Sequence, residues 1–340
     1  MNVHATRDLD ASRPSHPLAT AKPRKPRRGR RWLAAGVAGA AAAALANHLL
    51  ARRSEARHPP GGRFLEVGGV RLHYRERGEG PVIVLLHGNG VSGEDFAVSG
   101  LLDDLAGGHR VIAFDRPGFG YSTRPRRRAW TAKAQARLLL EALGALGVRR
   151  PVIVGHSWGS LVAANMALEA PDEIAGVALL SGYFRPTARL DAAMAAGPAV
   201  PLLGDLMRFT VSPALGRLMT PMILKHTFAP APVSARFARD YPIELSLRPS
   251  QLRAAAAEAG MMVPEAAALA KRLPGLATPA LILTGREDRV VNASHQSGWL
   301  AEQLPQARLV SVEGAGHMVH HTAPERVAAE ILAFALSMEP

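Results

Sequence analysis

The chain has 340 residues, is 48% hydrophobic and contains no cysteine, so it holds enough apolar residues for a large core plus an insertion, and disulfides, thiolate metal sites and a cysteine nucleophile are excluded. Its formal charge of +13 is uneven: residues 1–57 carry 12 Lys/Arg against 3 Asp/Glu, and the remainder 29 against 25. The body is therefore not a basic nucleic-acid surface, and its few aromatic residues form no stacking platform.

Residues 1–31 are rich in Pro, Ser, Arg and Lys and read as a disordered basic tail, closing on Lys22-Pro-Arg-Lys-Pro-Arg-Arg-Gly-Arg-Arg31. Trp32 to Ala51 then runs without charge and is dominated by Ala, Leu, Val and Gly. At a rise of about 1.5 Å per residue such a run just spans a hydrocarbon core of about 30 Å. A transmembrane or signal-anchor helix over residues 32–53 is the leading reading. A cleaved secretory signal, with Ala44-Leu45-Ala46 as the small-residue site, and an Ala-rich soluble helix are the alternatives; Asn47 and His48 weaken the apolar run. Basic residues number 8 in positions 12–31 and 5 in positions 52–71, which favours a cytoplasmic N-terminus with the body outside the cytoplasm.

Residues 54–63 read as a short polar Pro/Gly linker. Phe64 to Tyr74 predicts a hairpin turning at Gly68-Gly69, and Val82 to Leu86 and Arg110 to Phe114 predict buried strands. Apolar positions at helical spacing predict a helix over 131–146, ending at Gly147. Further strands are expected at Val152–Val154, Ala175–Leu180, Pro279–Thr284 and Ala307–Val312, with helices near 294–303 and 323–337. Strands alternating with helices imply an α/β fold with a mostly parallel sheet covered on both faces. Residues 183–275 interrupt this rhythm with short helical runs and no buried strand, which predicts a helical insertion over the ligand-binding edge of a core made of residues 64–182 and 276–340.

Gly155-His-Ser-Trp-Gly159 lies between a strand and a helix. A G-x-S-x-G turn in that context lifts the hydroxyl of Ser157 clear of the sheet. A serine needs a base to take its proton and an acid to orient that base. Asp288 follows one predicted strand and His317 the next, so a parallel sheet brings both to the edge that carries Ser157. Glu287 is the fallback acid. The oxyanion donors are expected to be the N–H groups of Trp158 and of Asn89, in the His87-Gly-Asn-Gly90 turn. His320 and His321 read as surface residues at a helix start, or as supports behind His317. Met207, Met219, Met222, Met261 and Met262, with Phe184, Phe209 and Phe228, are candidates to line an apolar pocket or simply to pack the insertion against itself. No phosphate loop, dinucleotide fingerprint or metal motif occurs, and the reading needs no cofactor.

HGNG, Asp115-Arg-Pro-Gly-Phe-Gly-Tyr-Ser122, GHSWG, Gly285-Arg-Glu-Asp288 and Gly314-Ala-Gly-His317 occur in the order found in the α/β-hydrolase fold superfamily. Over about residues 64–337 the chain resembles its cap-bearing branch. The resemblance implies that the DRPGFGYS loop is structural and that His87 and His156 pack rather than transfer protons. Relatives that open epoxides or displace halide carry Asp at the elbow; serine here implies acyl chemistry. Ester or lactone hydrolysis of a small apolar or amphipathic substrate leads, with C–C hydrolysis, thioester hydrolysis, perhydrolysis and a non-catalytic binding role as alternatives.

Overall fold

In the computed structural model, which describes residues 28–339, the chain from Ala41 onward forms one compact unit. Helix α1 spans Arg28–Arg57, so it runs four residues past the expected end and shortens the linker. Its stretch from Arg31 to Arg57 is long and apolar enough to cross a membrane, and Trp32, Leu33, Val37, Leu45 and Leu49 are exposed. Asn47 is buried: its Nδ2 donates to the carbonyls of Phe209 (3.0 Å) and Thr210 (2.8 Å). The polar residue that interrupts the apolar run is thus satisfied by protein.

Strands β1 (Arg63–Val67) and β2 (Val70–Arg77) form the predicted hairpin, with Gly68 and Gly69 at φ +54° and +72°. Two consecutive positive-φ residues make the turn that matches strand twist, which is why glycine occupies both. The chain continues through β3 (Val82–Leu86), α2 (Glu94–Ser99), α3 (Leu101–Leu105) and β4 (Arg110–Phe114). Then follow α4 (Ala132–Ala145), β5 (Val152–His156), α5 (Trp158–Glu169) and β6 (Gly176–Leu180). Thr131 starts α4 by accepting the Ala134 N–H on Oγ1 at 3.0 Å.

From Leu190 to Ala270 the chain is helical: α6 (Leu190–Ala195), α7 (Leu203–Phe209), α8 (Val211–Phe228), α9 (Ala235–Asp240), α10 (Ile243–Ser246) and α11 (Pro249–Ala270). The sheet resumes with β7 (Ala280–Gly285), α12 (Trp299–Gln303), β8 (Arg308–Val312), α13 (Val319–Thr322) and α14 (Pro324–Leu336). The eight strands lie in the order β1-β2-β4-β3-β5-β6-β7-β8, antiparallel at β1/β2 and β2/β4 and parallel elsewhere.

Alternation along each strand feeds two cores. Val84, Leu86 and Ile112 face the layer containing Leu138 of α4 and Leu161 of α5. Ile83, Leu85 and Val111 face the layer containing Leu101 of α3 and Ile331 of α14. Helix α5 is buried nearly all round, from Trp158 to Ala167, which fixes the start of that helix at the sheet edge.

One polar contact ties the helical segment to this frame. Arg116, after β4, and Glu258, in α11, are both fully buried and meet through two bonds of 2.5 and 3.0 Å. Removing one partner of such a pair strands the other charge, at a cost of about 3–5 kcal/mol. Glu258→Ala is therefore expected to lower unfolding stability by about that amount, measured by urea titration, with Glu258→Gln less affected.

Candidate active site

Ser157 occupies the turn between β5 and α5 at φ +53°, ψ −116°. A non-glycine residue held there is strained, and its surroundings hold it in place. Its N–H donates to the Leu180 carbonyl at the end of β6 (2.8 Å). Ser160 Oγ, one turn on, donates to Gly155 O at 2.6 Å. The flanking glycines are required by space: a Cβ on Gly155 would lie 2.4 Å from Gly159 O, and one on Gly159 would lie 2.0 Å from Leu86 O.

His317 lies in the loop after β8. Its Nε2 is 3.0 Å from Ser157 Oγ and its Nδ1 is 2.8 Å from Asp288 Oδ2. Asp288, in the loop after β7, is 6% exposed, and its Oδ1 accepts the N–H groups of Val290 and Val291 at 2.8 and 2.9 Å. Those two bonds leave Oδ2 to hold the imidazole. The three sequence-predicted residues thus meet in one line, serine to imidazole to carboxylate. Such a line makes the hydroxyl a nucleophile by offering its proton to Nε2 and keeping Nδ1 protonated. The neighbouring Glu287 makes no hydrogen bond to His317.

The loop after β3 supplies the other half of the site. His87 Nε2 accepts the Arg116 N–H at 2.9 Å, so Nδ1 carries the proton and donates to Gly88 O at 2.7 Å. Burial, then the Arg116 charge, lower the His87 pKa to about 3, so the ring is neutral. Arg116 Nη2 also donates to Gly88 O (3.0 Å). With the carbonyl of the Gly88–Asn89 peptide held from one side, its trans N–H, that of Asn89, must point the other way. Asn89 N–H has no hydrogen-bond acceptor among the described residues, and Asn89 lines the cavity beside Ser157. Trp158 is the first residue of α5, where helix N–H groups lack intrahelical partners. Both expected oxyanion donors are therefore free backbone groups next to the hydroxyl.

Above Ser157 lies a cavity of about 270 Å³. Its walls come largely from α8 and α11, including Thr220, Ile223, Leu224, Phe228, Leu252 and Ala255, with Phe237 of α9. Of the candidates to line an apolar pocket or to pack the insertion, only Phe228 lines the cavity; Met207, Met219, Met222, Met261, Met262, Phe184 and Phe209 do not. Met222 instead faces solvent, and Met261 and Met262 pack against the main core. Helical spacing showed that these residues share a segment but not which face of each helix turns inward.

Behind His317 the structure shows a network that fits the second of the two readings of His320 and His321, as supports rather than surface residues. His320 and His321 are buried, and their Nε2 atoms each lie 2.8 Å from one oxygen of the buried Asp95 in α2. His156 Nε2 donates to His317 O at 3.0 Å, and burial followed by the adjacent His320 and His317 rings hold its pKa well below the usual histidine range. Asp95, His156 and His320 bring potential metal-ligating atoms within 4.8 Å of one another. Each Asp95 oxygen is paired with one imidazole, of His320 or His321, while His156 Nδ1 and His320 Nδ1 have no hydrogen-bond partner among the described residues. The adjacent pair His320-His321 was the available signal; its partner Asp95, far upstream, carried none.

The alpha/beta hydrolase fold family matches residues 81–324. Haloalkane dehalogenase 2 of Mycobacterium tuberculosis (strain ATCC 25618 / H37Rv) is 29% identical over 285 residues, 81% of this chain and 95% of that protein. The magnesium-chelatase 30 kDa subunit of Rhodobacter capsulatus is 30% identical over 262 residues, 75% of this chain and 86% of the subunit. Among solved structures, a membrane phospholipase A described as a bacterial virulence factor superposes with a TM-score of 0.63 at 23% identity, covering 91% of this chain and 97% of its own.

Burial raises the Asp95 pKa, but His320 and then His321 outweigh it and hold the carboxyl well below its usual range. A depressed folded pKa gives stability that is full above the unfolded value, about 3.9, and is lost as pH falls through the lower folded value. Asp95→Asn is therefore expected to destabilise the protein at neutral pH, with the gap to wild type closing below about pH 4 in thermal melts.

Proposed function

The chain belongs to the α/β-hydrolase fold family, and from that premise we propose that it is a serine hydrolase cleaving a carboxylic ester or lactone. The observation that carries this reading is the Ser157–His317–Asp288 line, with steps of 3.0 and 2.8 Å, at the floor of an apolar cavity. No carboxylate lines that cavity among the described residues, so it offers no acidic nucleophile for halide displacement or epoxide opening.

Ser157 Oγ attacks the substrate carbonyl while His317 Nε2 takes its proton. Asp288 holds Nδ1–H and stabilises the imidazolium. The N–H groups of Asn89 and Trp158 bind the oxyanion. His317 returns the proton to the departing alkoxide, leaving an acyl group on Ser157. Water, deprotonated by His317, attacks the acyl-enzyme; collapse frees the acid and restores the serine. The His317 loop is braced from behind by His156, and neither His156 nor His87 exchanges protons with substrate.

The substrate reading rests on the lining. Ile223, Leu224, Phe228 and Leu252 suit an acyl chain, and Thr220 and Thr227 provide the few polar contacts. A membrane tether through α1 fits this chemistry. Exposed apolar side chains continue on the helical segment at Leu202, Leu206, Phe209, Leu215 and Leu218, which suits a face beside a bilayer. The catalytic body is assigned to the non-cytoplasmic side.

Full-length protein is expected to label with a fluorophosphonate probe and to hydrolyse p-nitrophenyl esters, with rates depending on acyl length. Ser157→Ala abolishes labelling and lowers kcat by about 10⁴–10⁶, His317→Ala does likewise, and Asp288→Asn costs about 10⁴. Equal labelling of wild type and Ser157→Ala would refute the serine mechanism. For the tether, the full chain is expected in the membrane fraction and a form lacking residues 1–53 in the soluble fraction. Full-length protein that stays uncleaved in the cytosol would overturn it.

A further inference from the structure

Six arginines, Arg52, Arg124, Arg126, Arg208, Arg248 and Arg253, line a second cavity of about 580 Å³. Its wall combines the last turns of α1 (His48 to Glu55), the loop after β4 (Gly118 to Arg126) and the start of α11. It shares no lining residue with the cavity above Ser157. Helix α11 separates the two: Leu252 and Ala255 face the serine, whereas Ser250 and Arg253 face the arginines.

The charge here is not balanced from within. Among the described residues, three carboxylates are in reach of the six arginines: Glu55, 3.1 Å from Arg248 and 3.7 Å from Arg52; Asp205, 2.5 Å from Arg208 and 3.5 Å from Arg126; and Glu258, 3.8 Å from Arg124. Glu258 is already held at 2.5 Å by Arg116. Arg253 pairs with none of them and acts on Arg124 and Arg208 only as a like charge. The site is built rather than splayed over the surface: the side chains of Arg124, Arg208 and Arg248 are 8%, 3% and 8% exposed. Arg208 Nε is buried with no acceptor. Burial, with Arg116 and Arg253 adding repulsion against the pull of Glu258, lowers the Arg124 pKa to about 10.

Arginines in excess over carboxylates, with Arg208 Nε buried and without an acceptor, are costly unless an anion completes them. Their planar N–H forks match the oxygens of a phosphate. The cavity also opens at the C-terminal end of an apolar helix long enough to span a bilayer, the depth at which lipid phosphates lie. We propose that this cavity binds a phosphate-bearing anion, the headgroup of an anionic phospholipid or free phosphate.

The test uses full-length Ser157→Ala protein in neutral detergent, so that no probe is hydrolysed. Inorganic phosphate, dihexanoyl phosphatidic acid and dihexanoyl phosphatidylcholine are titrated by calorimetry at low and high salt. Saturable binding of at least one of the first two is expected, weakened about tenfold or more by Arg253→Ala and by the more exposed Arg126→Ala, and weakened by salt. Preference for phosphatidic acid over inorganic phosphate identifies a lipid headgroup; comparable binding identifies the free anion. Binding of neither, or equal binding by the arginine variants and the parent, would overturn the proposal. The readout is binding, so it stands apart from whether Ser157 is a nucleophile.

Discussion

Arg116 is the contact on which the rest of the site depends. All five of its guanidinium N–H groups are used: Nε to His87 O, Nη1 to Gln135 and Glu258, and Nη2 to Gly88 O and Glu258. One side chain at 0% exposure therefore holds the loop after β3, the start of α4 and the middle of α11 at once. A buried cation is tolerable only when so completely partnered. Its rigidity also sets the direction of the Asn89 N–H beside Ser157.

The two loops that meet over Ser157 are stabilised differently. The loop carrying His317 is braced by buried histidines, two of them hydrogen-bonded to Asp95 and one to the His317 carbonyl. The loop carrying Asn89 is braced by a cation and by the Asn89 side chain, whose Nδ2 donates to Ala255 O at 3.1 Å. Neither brace places a net charge in the cavity wall, so its polarity comes from backbone N–H groups, the Ser157–His317 pair and a few uncharged side chains such as Thr220 and Thr227. Preorganised donors in such a dry setting are where transition-state stabilisation is strongest.

Much of this was legible in the chain. Val82–Leu86 and Val152–Val154 announce strands buried on both faces because they are apolar at every position. The order of Ser157, Asp288 and His317, each after a strand, is enough to place them together once the sheet is parallel. The longer α1 was not evident, because Arg52, Arg53, Glu55 and Arg57 end the apolar run without ending the helix. The pocket lining was not legible because α8 and α11, which form most of its wall, are weakly amphipathic, so spacing does not decide which face turns inward. The Arg116–Glu258 and Asp95–His320 pairs join residues 142 and 225 positions apart and carry no local pattern.

The reach of Glu258 alters how variation in this protein should be read. It shares the Arg116 guanidinium with the carbonyls of His87 and Gly88 and does not line the cavity above Ser157. A change there propagates through the guanidinium to the carbonyl of Gly88 and so to the tilt of a single peptide plane. In a mutational scan of activity such a position is expected to score beside Ser157 although it does not line the cavity. Activity loss in α11 is thus a poor guide to substrate contacts, and apparent specificity determinants on that helix divide into those that touch the ligand and those that aim the amide.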